Sequence, residues 1–209
     1  MPSVPAPRNF ATAQREAQTG DRQAQYELGL AYESGGEVEP DSGMALNWFS
    51  RAAEQWHAEA LWKVGQAYLE GRLGVAPDPA RAGKWLERAA TQSVAEAFFP
   101  LAELYRTGVG LEQNLSRARE CYSTAGHKGN ARGLLLAGIM FARGEGGEES
   151  YASAHWFLSR AASEHGLDEA ALELGYFHQR RGETDKALEW FRRAAEAGNQ
   201  EAAGQLSGD

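Results

Sequence analysis

Residues 24–35 read Ala24-Gln25-Tyr26-Glu27-Leu28-Gly29-Leu30-Ala31-Tyr32-Glu33-Ser34-Gly35, and this stretch decides the fold because its pattern returns along the whole chain. The Leu28-Gly29 pair recurs as Val64-Gly65, Leu101-Ala102, Ala137-Gly138 and Leu174-Gly175, at offsets of 36, 37, 36 and 37 residues. Four residues before each anchor stands a small residue (Ala24, Ala60, Ala97, Gly133, Ala170), and four after it a ring (Tyr32, Tyr68, Tyr105, Phe141, His178). An i−4, i, i+4 stripe lies on one face of a helix, and the glycine or alanine beside it lets a second helix approach closely. Gly35, Gly71, Gly108 and Gly144, each seven residues past an anchor, supply the left-handed residue that ends such a helix. The stretch is therefore helix A of a repeat.

A second stripe follows in every unit. It reads Ala45, Trp48-Phe49, Ala52-Ala53; then Ala82, Trp85-Leu86, Ala89-Ala90; then Ala118, Cys121-Tyr122, Ala125-Gly126; then Ala154, Phe157-Leu158, Ala161-Ala162; and Ala187, Trp190-Phe191, Ala194-Ala195. Four residues before the first alanine stand Asp41, Asp78, Asn114 and Ser150, whose short oxygen-bearing side chains can cap helix B. Pro79 follows Asp78 at the first helical position, where a missing N–H costs nothing. Two helices with a period near 36 cannot bury their own stripes, so each pair must stack on the next.

Composition agrees with a packed chain. The 209 residues are 43% hydrophobic and 24% charged, and the formal charge is −8. With no run of basic residues, neither a nucleic-acid backbone nor an anionic membrane surface is an expected partner. The longest apolar run, residues 133–142, is about half of what spans a bilayer. Residues 1–7 hold three of the seven prolines without the basic start or apolar stretch of a signal peptide, and residues 1–8 read as a disordered arm. Cys121 is the only cysteine, which excludes an internal disulfide and points to a reducing compartment such as the cytoplasm.

The motif Ala-x-x-x-Leu-Gly-x-x-Tyr-x-x-Gly, then Asp, then Ala-x-x-Trp-aromatic-x-Arg-Ala-Ala, resembles the Sel-1-like repeat, a relative of the tetratricopeptide repeat; residues 24–53 match it almost position by position. The expected fold is all-α, a right-handed α-α superhelix of about five helix pairs over residues 22–57, 58–94, 95–130, 131–167 and 168–199. It forms a single solenoid over residues 9–209, with residues 9–19 as an N-terminal capping helix of B type and Ala202 and Leu206 opening a truncated final helix. Some departures stand out. The fifth unit spans 13 residues from anchor to second-helix alanine instead of 17 or 18, as in a tetratricopeptide repeat proper, and Pro100 should delay or kink its helix.

The resemblance implies a scaffold that holds a partner segment in a concave groove lined by helix A. Positions two before and two after the anchor, and five before it, would face that groove. They are Tyr26, Trp62, Phe99, Leu135 and Leu172; Leu30, Gln66, Glu103, Ile139 and Tyr176; and Gln23, Glu59, Glu96, Arg132 and Glu169. The first two rows are mostly apolar and the third mostly acidic, which suits an apolar or amphipathic protein segment carrying basic residues. The alternative for each side chain is a place in the seam between adjacent helices A. The short C-terminal cap also suggests a homodimer through that end.

Chemistry-bearing residues form no constellation. His57, His127, His155, His165 and His178 lack the His-x-x-x-His or His-Glu-x-x-His spacing of a zinc site, and no cofactor is implied. Cys121 takes the tryptophan position of helix B and reads as buried core. Residues 144–149 have acids and glycines without calcium-loop alternation, and read as a solvated loop. Gly108-Val109-Gly110 follows a helix and lacks the lysine of a phosphate loop. The chain thus reads as non-enzymatic. A second reading, a small-ligand or cell-wall-fragment binder or hydrolase, follows from resemblance to penicillin-binding, cysteine-rich family members, whose paired cysteines this chain lacks.

Overall fold

Short oxygen side chains start most helices where the sequence places them. Asp41, Asp78, Asn114 and Ser150 accept the backbone N–H of Met44, Arg81, Arg117 and Ser153, and Asn9, Asp21 and Asn130 do the same for other helices. The computed structural model describes residues 9–207, so the expected arm of residues 1–8 lies outside them. The described residues form twelve helices and no strand. They are Phe10–Gln18 (α1), Arg22–Ser34 (α2), Ser42–Glu54 (α3), Ala58–Glu70 (α4), Pro79–Thr91 (α5), Ala95–Thr107 (α6), Leu115–His127 (α7), Ala131–Arg143 (α8), Tyr151–His165 (α9), Asp168–Arg180 (α10), Thr184–Glu196 (α11) and Gln200–Ser207 (α12). α1 is the N-terminal cap of B type; thereafter A and B helices alternate, and α12 is a last, short helix of A type.

Four of the A helices meet their B helix at the anchor pair. In α2, Gly29 faces the ring of Phe49, which would stand 2.5 Å from a Cβ at that position. The same encounter recurs between Gly65 and Leu86, Gly138 and Leu158, and Gly175 and Phe191. All four partner side chains are at most 2% exposed, so the backbone itself forms one wall of the core. Gly71 and Gly144 end α4 and α8 in the left-handed conformation.

The helices gather into two compact units: one runs to Pro100 and includes Val109–Glu112, the other consists of Leu101–Gly108 and the chain from Gln113. The first unit is centred on Leu28, Phe49, Leu61 and Leu86, the second on Tyr122, Leu134, Leu158, Leu174 and Phe191. The division falls inside α6, beside Pro100, where the proline removes one backbone donor.

Several details differ from expectation. α6 begins at Ala95, five residues ahead of Pro100, so the proline does not delay its start. Cys121 is half-buried rather than buried, as is Trp85 at the equivalent position of repeat two. The fifth repeat has no capping bond at the start of α11: Glu183 turns its carboxylate to His178 instead. At the C-terminal end Ala202 is buried, but Leu206 is 37% exposed and adds little cover.

Gly29→Ala tests the anchor contact, because two effects oppose each other. Alanine gains up to about 1 kcal/mol of helix propensity, while forcing a methyl against the Phe49 ring costs about 1–3 kcal/mol. The expected result in urea unfolding is a net loss of stability of about 1 kcal/mol. A stabilised variant would show that the ring moves aside freely.

Candidate functional site

The helix-A positions divide by burial. In the first unit Tyr26, Leu30, Trp62, Gln66 and Phe99 are half-buried, while Glu59 and Glu96 are exposed. Tyr26 leans on Phe49, with ring centroids 5.7 Å apart, and stacks on His57 at 4.5 Å. Burial and the carboxylates of Glu59 and Glu33 raise its phenol above the ordinary value, so it stays a neutral donor. Gln66 donates to Glu70 one turn on.

In the second unit Leu135 and Leu172 are only 3% and 8% exposed. They belong to the packing between helices and not to an open surface. Ile139 and Tyr176 stay half-buried. The Tyr176 hydroxyl donates to Glu201 at 2.7 Å, and that bond pushes its pKa up to about 12. Exposed Arg132 stands 3.8 Å from Glu169. Glu103 does not present a free carboxylate to a groove: Arg106 pairs with it at 2.7 Å and the Tyr122 hydroxyl donates to it. Burial first, and then this bond, raise the Tyr122 pKa.

Position-by-position reading of single helices missed three features. The first is the seam between successive A helices, closed by Lys63 to Glu33 at 2.6 Å in one unit and Arg143 to Glu173 at 2.9 Å in the other. Each pair spans 30 residues, so opposite charges at that spacing were the available signal. The second is an arginine over the indole of its own B helix: Arg51 on Trp48, Arg88 on Trp85 and Arg193 on Trp190, at 4.7, 4.7 and 4.5 Å. The Trp-x-x-Arg spacing is written in the sequence, but the stacking is visible only in three dimensions.

The third is a set of buried and half-buried imidazoles. His57, 7% exposed, caps α4: its Nδ1 accepts from the Ala60 N–H, which leaves Nε2–H to donate to Gln23 at 2.9 Å. His178 is fully buried, with Nδ1 2.6 Å from Glu183 and no partner at Nε2. His155 lies edge-on to it at 5.7 Å. Among the described residues no group of three or more His, Cys, Asp or Glu side chains is placed to hold a metal ion, and no helix is long and apolar enough to cross a membrane.

A cleft of about 470 Å³ opens in the first unit between α1 and α2. Phe10, Leu28 and Ala31 form its apolar floor, and Glu27 and Glu37 stand at its rim. Glu37 also accepts the N–H of Phe10 at 3.2 Å.

The family model for the Sel1 repeat matches residues 22–55, 58–94, 99–130, 131–165 and 168–199. The chain is 32% identical to c5321, a protective antigen of uropathogenic Escherichia coli with this repeat fold; the TM-score is 0.77, and the alignment covers 94% of this chain but 43% of that protein. It is 28% identical to a Sel1 repeat protein of Oxalobacter formigenes, with a TM-score of 0.71 and coverage of 95% and 85%. The tetratricopeptide-repeat protein YrrB, which has a peptide-binding site, shares the fold at 17% identity and a TM-score of 0.63, over 98% of this chain and 100% of its own. No curated protein matches. Proteins built from Sel1 and tetratricopeptide-like repeats are generally protein-interaction scaffolds.

Burial lowers the pKa of both His57 and His155, and at His155 the neighbouring His178 and Lys186 lower it further while Glu183 opposes. The folded chain thus favours the neutral rings, so their stabilisation is complete above about pH 6.5 and is lost as pH falls below that value. Denaturation at pH 7.5 and pH 5.5 should show lower stability at the acid end. His57→Asn, which keeps a capping oxygen but does not titrate, should weaken that dependence; an unchanged slope would remove His57 from the account.

Proposed function

Because the chain belongs to the Sel1 repeat family, we propose that it is a non-enzymatic scaffold that holds an apolar or amphipathic segment of a protein partner, carrying basic residues, along its A helices. The observation that carries this reading is the cleft beside α2, with Phe10, Leu28 and Ala31 below and Glu27 and Glu37 above. An apolar floor buries an anchor side chain, and carboxylates at the rim select lysine or arginine beside it. The residues from Glu27 to Asp41 include five acids and no lysine or arginine, so the surrounding field has the same sign. Half-buried Leu30 on α2 and Trp62 on α4 supply further apolar side chains on the A helices. YrrB, a protein of this fold with a peptide-binding site, gives the reading a precedent in architecture alone.

The test is affinity capture from lysate with mass spectrometry, using wild type, the Trp62→Ala/Phe99→Ala double variant, and Glu37→Lys, each shown by circular dichroism to be folded. A partner retained by wild type should be lost by the double variant and bound about tenfold more weakly by Glu37→Lys, a change of about 1.4 kcal/mol. Equal retention by all three baits would assign these side chains to packing alone.

A further inference from the structure

Repeat four departs from its sisters at two neighbouring positions of its B helix. Three residues after the capping position, the others carry Met44, Arg81, Arg117 and Lys186, whereas repeat four carries Ser153. Six residues after it, the others carry Asn47, Lys84, Glu120 and Glu189, whereas repeat four carries Trp156. The long side chain has a visible task in repeats two and three. Arg81 lies over the ring of Tyr68 at 5.5 Å, and Arg117 lies over Tyr105 at 5.4 Å and donates to its hydroxyl.

Ser153 is too short to reach Phe141, the corresponding ring of repeat four, against which Arg119 and the stacked Phe157 ring, 5.6 Å away, pack instead. An open cleft of about 430 Å³ lies between α7 and α9, lined by Ser123, His127, Phe141, Ser153, Trp156 and Phe157. Trp156 is 39% exposed, yet its indole is held in place. His127 stacks on it at 4.8 Å, Phe157 meets it edge-on at 4.7 Å, and Arg160, itself clamped by Glu164, lies 4.8 Å from its centre.

Arg119, which packs on Phe141 beside the cleft, pairs with no carboxylate among the described residues. The Arg119 guanidinium lies 4.7 Å over the Phe141 ring and donates to the backbone carbonyl of Glu148 at 3.1 Å. The glycine-rich loop makes room for it, since a Cβ on Gly147 would stand 2.0 Å from its Nη2. The loop that reads as merely solvated therefore positions a positive charge. The first turn of α9 reaches the same cleft through Ala152 and Ser153 and adds the positive end of a helix.

We propose that this cleft is a docking site, separate from the helix-A surface, for a partner segment that presents one aromatic or large aliphatic side chain beside a carboxylate. The apolar side chain would lie on Phe141 and Trp156, and the carboxylate would meet Arg119. Aromatic walls supply large buried area, and an arginine held in place reads a carboxylate with two parallel hydrogen bonds.

The test uses fluorescein-labelled nine-residue peptides with a central phenylalanine flanked by Asp/Glu, by Lys/Arg or by Ser/Gly, titrated against the full chain by fluorescence polarisation. Acid-flanked peptides should bind tightest. Ser153→Arg and Trp156→Lys install the residues of repeat two and should each weaken that binding at least about tenfold. Arg119→Gln should abolish the preference for acidic over neutral flanks. Thermal melts verify that each variant folds. In wild type, the same acid-flanked peptide should shift the backbone amide resonances of Ser123, His127 and Ser153, a readout that needs no variant. Absence of binding by acid-flanked peptides, a preference for basic flanks, unshifted resonances at those amides, or unchanged affinity in the folded variants would each overturn the proposal.

Discussion

The structure depends on a backbone without a side chain meeting a bulky one. Where Phe49, Leu86, Leu158 and Phe191 press on Gly29, Gly65, Gly138 and Gly175, two helices approach as closely as their main chains allow. Dispersion attraction falls off steeply with separation, so this contact is what binds an A helix to its own B helix before any neighbour is considered. The flanking alanines Ala24, Ala45, Ala60 and Ala82, all fully buried, continue the close approach along the helix pair. Stacking of pairs, capping and surface charge act on a unit already shaped by that contact.

Much of this was legible in the sequence because periodic features have local causes. Anchor pairs, terminating glycines and the capping residues Asp41, Asp78, Asn114 and Ser150 each act within one turn of their own position. The binding surface was less legible, for a physical reason. Whether Leu135 or Trp62 faces solvent depends on how neighbouring helices tilt over it, and the two leave the same mark on a helical stripe. Glu103 shows the same limit for charge: named as a groove-facing position, it is instead engaged by Arg106 and the Tyr122 hydroxyl.

Repetition also makes individuality easier to find. A side chain shared by most repeats is explained by the fold, and one that breaks the series calls for another explanation. Trp156 and Ser153 break it together beside a cleft, whereas Cys121 breaks it at a half-buried position of α7. Glu183 gives up its cap to bind His178, a local exchange of one hydrogen bond for another. Function on a repeat scaffold is most readable at such exceptions, because the sister repeats show what the position holds when only packing is required.

The seam pairs carry a further consequence. In the first unit the acid belongs to the earlier helix and the base to the later one, Glu33 and then Lys63. In the second unit the polarity is reversed, Arg143 and then Glu173. If the intervening repeats were skipped by recombination, or exchanged between two chains, Glu33 would come to lie opposite Glu173; the converse splice would set Arg143 against Lys63. Like charges in a half-buried seam repel, so the order of the repeats is written into the chain electrostatically. Those two splices are thereby disfavoured.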